Sequence, residues 1–230
     1  MKDFSKLEKK LGLVFKQPDL LQQALVHRSY LNENPDFGLE HNERLEFLGD
    51  AVLELVVTEY LYKNYPNPEG ELTNWRASLV NSQMLAKIAS RLDLGKYLYL
   101  SKGEAKDTNA KARNYILANA LEAVVGAIYL DSGYDPSQKF ILANVVPELS
   151  EILSNGSYID PKSRFQEIAQ EKLKITPNYK VLEESGPDHD KHFEIGVYLD
   201  QDLVATGIGS SKQEAQVSAA MAALKAKKWS

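Results

Sequence analysis

The spacing of hydrophobic residues changes near residue 154 of this chain, and that change sets the expected domain organisation. Before it, apolar residues recur every three or four positions, which predicts a succession of amphipathic helices over residues 1–153. A polar stretch, residues 154–159, has the composition of a linker. Residues 160–230 then follow the order helix, strands, helix. The sequence therefore predicts an α+β protein, in which an all-helical domain is joined to a small α-β-β-β-α domain.

Each domain shows a definite series of elements. In the first, helical spacing is clearest over residues 7–25, 45–56, 79–92 and 115–131, and a turn-rich break lies at 64–70. In the second, helices are predicted at 162–173 and 213–227, with short strands at 179–182, 193–199 and 203–209.

Composition narrows the chemistry open to the chain. It has no cysteine, which excludes disulfides and thiolate metal sites, and its 43% hydrophobic content is that of a globular protein. The N-terminus has no apolar run long enough for a signal peptide or a membrane span, so we expect a cytoplasmic protein without a membrane partner. Net charge is −5, and residues 160–230 hold 10 Lys/Arg against 11 Asp/Glu. Any nucleic-acid binding must therefore come from local arrangement.

A stripe of carboxylates follows the start of the second helical pattern. Glu43, Glu46, Asp50 and Glu54 fall within an arc of roughly 80° at the helical 100° per residue. A solvated helix face is the ordinary explanation. Gly49 favours another one, because a glycine inside a helix costs about 1 kcal/mol and predicts close approach by a second element. Apolar residues nearly surround the stripe, so its acids are expected to be partly buried and to need a cation between them.

A second polar pair interrupts the most apolar helical pattern. Asn119 and Glu122 stand at i and i+3, on the same side of that helix. A boundary position would explain Glu122 equally well in isolation. Beside the first stripe, the pair becomes a candidate ligand set. Oxygen ligands without cysteine point to Mg²⁺, with Mn²⁺ as a substitute.

The small domain carries three candidate contacts for RNA. Gln166 and Gln170 share a helix face and can bond 2′-hydroxyl groups in a minor groove, although a solvated pair is as good an explanation. His189 lies at the tip of a predicted turn. Ser211 opens a capping box, so that free backbone N–H groups and Lys212 form a phosphate site at the start of the last helix.

Residues 41–50, His-Asn-Glu-Arg-Leu-Glu-Phe-Leu-Gly-Asp, resemble the signature of the bacterial ribonuclease III family. The segments 69–73, 76–81, 102–104 and 126–131 resemble further blocks of that family, in the expected order. The C-terminal contacts match the three contact regions of a double-stranded RNA-binding domain. The resemblance covers essentially the whole chain.

The resemblance implies a homodimeric, Mg²⁺-dependent endonuclease that cuts double-stranded RNA to leave 5′ phosphates and short 3′ overhangs, with precursor processing as its role. It implies that Glu46, Asp50, Asn119 and Glu122 are the metal-site residues. Asp50 and Glu122 would be the acids most needed for catalysis, and Glu43 would support them from the edge. Phe47 would be a dimer contact set into a pocket of the partner subunit. The chemistry would be hydrolysis by metal-activated water.

Two positions depart from the family pattern. The family usually has Asp where this chain has Asn119, and the lost charge should weaken metal binding by about 1–3 kcal/mol. Asn119 is either natural, with the other acids sustaining cleavage, or a change that holds RNA uncut. The alternative function is therefore a double-stranded RNA-binding protein that is weakened or inactive as a nuclease. Gln213 and Gln216 replace lysines at the last helix, which predicts weaker RNA binding.

Overall fold

The computed structural model describes residues 2–156, 158, 160–187 and 191–229. Its contacts divide into two compact units, residues 1–158, here called the helical unit, and residues 159–230, the α/β unit. The predicted α+β class is confirmed, with the helical part first and the mixed part second.

The helical unit is built of ten α-helices within its described residues. They are α1 Ser5–Leu11, α2 Pro18–Ala24, α3 Arg28–Glu33, α4 Glu43–Asn64, α5 Glu69–Val80, α6 Ser82–Arg91, α7 Lys102–Lys106, α8 Ala110–Ser132, α9 Tyr134–Asn144 and α10 Leu149–Asn155. Short 3₁₀ turns occupy Leu94–Lys96 and Val146–Glu148.

Helix α8 is the centre of this unit. It is long and apolar enough to pass for a membrane span by length and composition, yet 61% of that window is buried inside the unit. Helices α2, α4, α6 and α9 pack around it. That burial is the pattern of a core helix in a globular domain.

The predicted helical pattern over 79–92 is divided between two helices. Leu79 ends α5, and Asn81 adopts an extended backbone before α6 begins. The Asn81 side chain donates to the carbonyl oxygens of Ala77 and Ser78 and accepts from the Met84 N–H at 2.9 Å. One asparagine thus closes α5 and caps α6, which local side-chain bonding of this residue type favours.

The end of the helical unit extends past its predicted limit. Helix α10 continues to Asn155, two residues into the predicted linker.

The α/β unit has the predicted element order. It consists of α11 Pro161–Leu173, β1 Asn178–Ser185, β2 His192–Leu199, β3 Asp202–Gly209 and α12 Lys212–Lys227, and its antiparallel sheet has the order β1-β2-β3. Alternate residues of β2 are buried, among them Ile195 and Val197, and Phe165 of α11 joins the core. A methyl group at Gly207 would lie 2.1 Å from the Ala219 nitrogen, so α12 passes directly over β3.

Candidate active site

Two glycines let α4 and α8 cross with their backbones in contact. A Cβ at Gly49 would lie 1.7 Å from the Glu122 carbonyl oxygen, and one at Gly126 would lie 2.2 Å from the Leu45 carbonyl oxygen. Both distances are far below van der Waals contact, so no side chain fits at either position. The predicted close approach at Gly49 is confirmed, and the approaching element is α8.

This crossing sets the acids of the two helices against each other. Burial raises the pKa of Glu122 to about 8, and the nearby carboxylates of Asp50 and Glu46 raise it further. Burial also raises the pKa of Glu46, as do Glu43 and Asp50, whereas hydrogen bonding from the Asn119 side chain lowers it. Glu46, Asp50, Asn119 and Glu122 therefore form one electrostatic cluster, here called the acidic cluster.

The four acids of the α4 stripe differ in burial. Glu46 is half-buried, but Glu43, Asp50 and Glu54 are exposed. The expectation that the whole stripe is partly buried was wrong for these three. The reason is that the neighbouring apolar face of α4 is itself uncovered in the single chain, so nothing encloses the stripe on that side.

The acidic cluster fits a hard divalent cation by its donor chemistry. Carboxylate and amide oxygens are the ligands that Mg²⁺ and Mn²⁺ take, and a cation would relieve the repulsion that holds Glu122 protonated. Across the part of the chain that the structure describes, no three Asp, Glu, His or Cys side chains form a closed metal site. An open arrangement suits Mg²⁺, which usually keeps several water ligands and binds substrate phosphates.

Glu43 has neighbours that the sequence analysis did not identify. Its carboxylate lies 3.4 Å from the Arg28 guanidinium and 3.8 Å from the His41 Nδ1 atom. Arg28 belongs to α3, and no periodicity relates residues 28 and 43. The contact depends on the path of the chain between two helices, and only the structure supplies it.

The outer face of α4 is apolar and uncovered. Phe47 is 82% exposed, Leu55 57% and Tyr62 80%, at spacings of eight and seven residues that keep them on one side. A surface cavity of about 640 Å³ lies beside Phe47 and is lined in part by Leu20 and Leu130. We call this surface the outer α4 face.

In the α/β unit, the helix positions expected to contact RNA are accessible. Gln166 and Gln170 are both exposed on α11. The predicted capping box is present, because the Ser211 hydroxyl accepts from the Glu214 N–H at 3.2 Å and Ser211 caps α12. Lys212 lies 3.8 Å from the Glu184 carboxylate. His189 lies outside the described residues.

Two family models match the chain. The model described as "Ribonuclease-III-like" matches residues 17–149, and the "Double-stranded RNA binding motif" matches residues 161–227.

Proteins named "Ribonuclease 3" are similar over nearly the full length. The protein from Natranaerobius thermophilus is 47% identical over 220 residues, covering 95% of this chain and 94% of its own. That from Dehalococcoides mccartyi is 43% identical over 225 residues, covering 97% and 94%. A crystal structure of the nuclease domain from Campylobacter jejuni matches with a TM-score of 0.56 and 41% identity, covering 64% of this chain and 97% of that one.

Proposed function

We propose, from the premise that this chain belongs to the ribonuclease III family, that the acidic cluster is its catalytic centre. The chain is an endoribonuclease of double-stranded RNA and depends on a divalent metal ion. The relatives favour this enzyme over the inactive RNA-binding alternative.

One observation carries the assignment of the centre. Glu122 is an acid in an apolar helix whose pKa rises to about 8 because of burial and of the carboxylates facing it from α4. A structural acid is usually paired with a base, and burial among like charges is costly. A strongly perturbed acid beside others is instead typical of a functional site.

The residues have distinct roles in this proposal. Asp50 and Glu122 hold the cation and are the acids on which cleavage depends, while Glu46 and the Asn119 carbonyl complete the protein ligands. A bound Mg²⁺ or Mn²⁺ lowers the pKa of a water ligand and stabilises the departing 3′ oxygen. Glu122 must lose its proton when the cation binds, because the raised pKa keeps it largely protonated at neutral pH.

The outer α4 face supports a homodimer. A row of exposed Phe47, Leu55 and Tyr62 side chains is larger than the scattered apolar residues that a monomer ordinarily leaves in water. Phe47 beside a cavity that has an apolar lining suits a two-fold interface, in which each ring enters the cavity of the other subunit. One structure of the Campylobacter jejuni nuclease domain is described as flexible in a region involved in dimer formation.

The remaining assignments follow from the same premise. Gln166 and Gln170 bond the minor groove, Ser211 and Lys212 bind phosphate, and His189 reaches a second groove. Residues 1–153 are the nuclease domain, 154–159 the linker and 160–230 the RNA-binding domain. The products carry 5′ phosphates and short 3′ overhangs, the substrates are ribosomal and messenger RNA precursors, and the protein acts in the cytoplasm.

Single-acid variants test the catalytic centre. Glu122→Gln and Asp50→Asn should each abolish cleavage of a labelled RNA duplex in Mg²⁺. Glu54→Gln is the matched control, because Glu54 lies on the same helix face but is not among the charges that raise the pKa of Glu122. The assignment fails if Glu122→Gln cuts at the parent rate, or if Glu54→Gln loses as much activity as Asp50→Asn.

A further inference from the structure

Three segments meet at the start of α4, next to the acidic cluster. The Asn42 N–H donates to the Val26 carbonyl oxygen at 2.9 Å, and its buried side chain donates to the Ala24 carbonyl oxygen at 3.2 Å. The His27 N–H donates to the Tyr99 carbonyl oxygen at 3.1 Å. These bonds fix the corner between α2 and α3 against the N-terminus of α4.

The corner brings a group of charged side chains together around Glu43. The Arg28 guanidinium and the His41 ring lie on the two sides of the Glu43 carboxylate. Glu104 of α7 and Glu43 both act on His27. The pKa of His27 is held below its usual value by burial, so its ring is uncharged at neutral pH. Arg28 contributes a permanent positive charge to this group.

Arg28 is held loosely. Its side chain is 70% exposed and that of Glu43 is 47% exposed. An exposed pair of this kind contributes little stability, so Arg28 can leave Glu43 for another anion at small cost. A guanidinium also matches phosphate by two parallel hydrogen bonds, which an ammonium cannot do.

Glu43 stands three residues before Glu46, less than one helical turn from the acidic cluster. RNA phosphates that approach this cluster meet several carboxylates, on a chain whose net charge is −5. A cation beside Glu43 offsets that repulsion at the edge of the cluster, where the strand continues past the bond being cut.

We propose that Arg28 is a substrate-positioning residue, which exchanges Glu43 for a backbone phosphate of the RNA strand next to the scissile one. Glu43 then acts by holding Arg28 ready, rather than by touching the reacting atoms. This inference rests on the proposed function of the acidic cluster.

The test uses the full-length chain and three variants. Arg28→Gln removes the charge, Arg28→Lys keeps the charge but loses the planar fork, and Lys63→Gln is the matched control. Lys63 is 62% exposed and also pairs with a glutamate of α4, but it lies about 30 Å along the helix from Glu43. Duplex binding is measured in chelator, without cleavage, on RNA about twice the roughly 16 base pairs that one RNA-binding domain spans.

We expect Arg28→Gln to raise the Kd about tenfold and to lower the salt slope of log K by about 0.9, the value for one lost phosphate contact. Arg28→Lys should bind nearly as the parent does, yet cut more slowly in a single turnover, because the strand is less well oriented. Lys63→Gln should match the parent in both. Sedimentation should show all three variants in the parent's oligomeric state.

Several outcomes overturn the role of Arg28. These are an unchanged Kd and salt slope in Arg28→Gln, an equal loss in Lys63→Gln, or a change of oligomeric state that accounts for the weaker binding. A parent chain that binds duplex through Arg28 but still cuts after Glu122→Gln would instead defeat the proposed centre and leave the Arg28 contact standing.

Discussion

Replacing Gly49 by alanine should separate α4 from α8 and thereby damage both stability and catalysis. The new methyl carbon would lie 1.7 Å from the Glu122 carbonyl oxygen, whereas such contacts below 3.0 Å are essentially never observed. The two helices must therefore move apart by more than about 1 Å, which close-packed interiors resist. The residue whose carbonyl is displaced is itself the central acid of the cluster.

The magnitude follows from two opposing effects. Overpacking costs about 1–3 kcal/mol and occasionally more, and here the clash is with backbone, which cannot rotate away. Alanine regains about 1 kcal/mol of helix propensity over glycine. Because the overlap is severe, we expect Gly49→Ala to lower the free energy of unfolding by about 2–3 kcal/mol. Gly70→Ala is the control, since a methyl group there meets nothing within 4 Å and α5 should be unchanged or slightly more stable.

Tryptophan fluorescence can follow the helical unit alone. The chain has two tryptophans, of which Trp75 is 5% exposed in the helical unit and Trp229 lies in the α/β unit. In a Trp229→Phe background, urea unfolding read at Trp75 gives the stability of the helical unit. If Gly49→Ala is as stable as Gly70→Ala and cuts RNA at the parent rate, the crossing does not set the geometry of the cluster.

Three further predictions follow from the same structure. The folded-state pKa of Glu122, about 8 against a usual 4.5, means that the metal-free folded protein keeps a proton that the unfolded chain releases, so its stability should fall as pH rises from 4.5 to 8. Glu122→Gln should escape that fall, gaining on the order of 2 kcal/mol on the parent by about pH 8 in urea titrations, and a parallel decline in both would contradict the buried acid. Phe47→Asp should leave helicity intact but convert a dimer to monomer in sedimentation, because the ring is 82% exposed in the single chain; an unchanged mass would exclude the outer α4 face as the interface. Lys212→Gln should weaken duplex binding and reduce the salt slope by about 0.9, whereas Lys225→Gln, at the far end of α12, should change neither.

The sequence is sufficient to predict features that depend on local periodicity. The α4 stripe and the Asn119–Glu122 pair follow from the helical repeat, and Gly49 indicated a close neighbour because glycine is unfavourable inside a helix. The capping box at Ser211 follows from its residue types alone.

Features that depend on long-range packing are not visible in the sequence. The spacing of apolar residues continues from Leu79 to Leu92, so it does not reveal that Asn81 ends one helix and begins another. The approach of Arg28 to Glu43 depends on the bonds that Asn42 makes to the chain before α3. The exposure of Asp50 depends on an outer helix face that the single chain leaves uncovered.

Cleavage of a labelled RNA duplex by the parent chain, Asn119→Asp and Glu122→Gln, in Mg²⁺ and then in Mn²⁺, tests the central claim most directly. The account predicts that the parent cuts, that Glu122→Gln does not, and that Asn119→Asp cuts with a lower metal requirement because it restores a charged ligand. If only Asn119→Asp cuts, the acidic cluster of this chain binds RNA without hydrolysing it, and the catalytic role proposed for the cluster as it stands is contradicted.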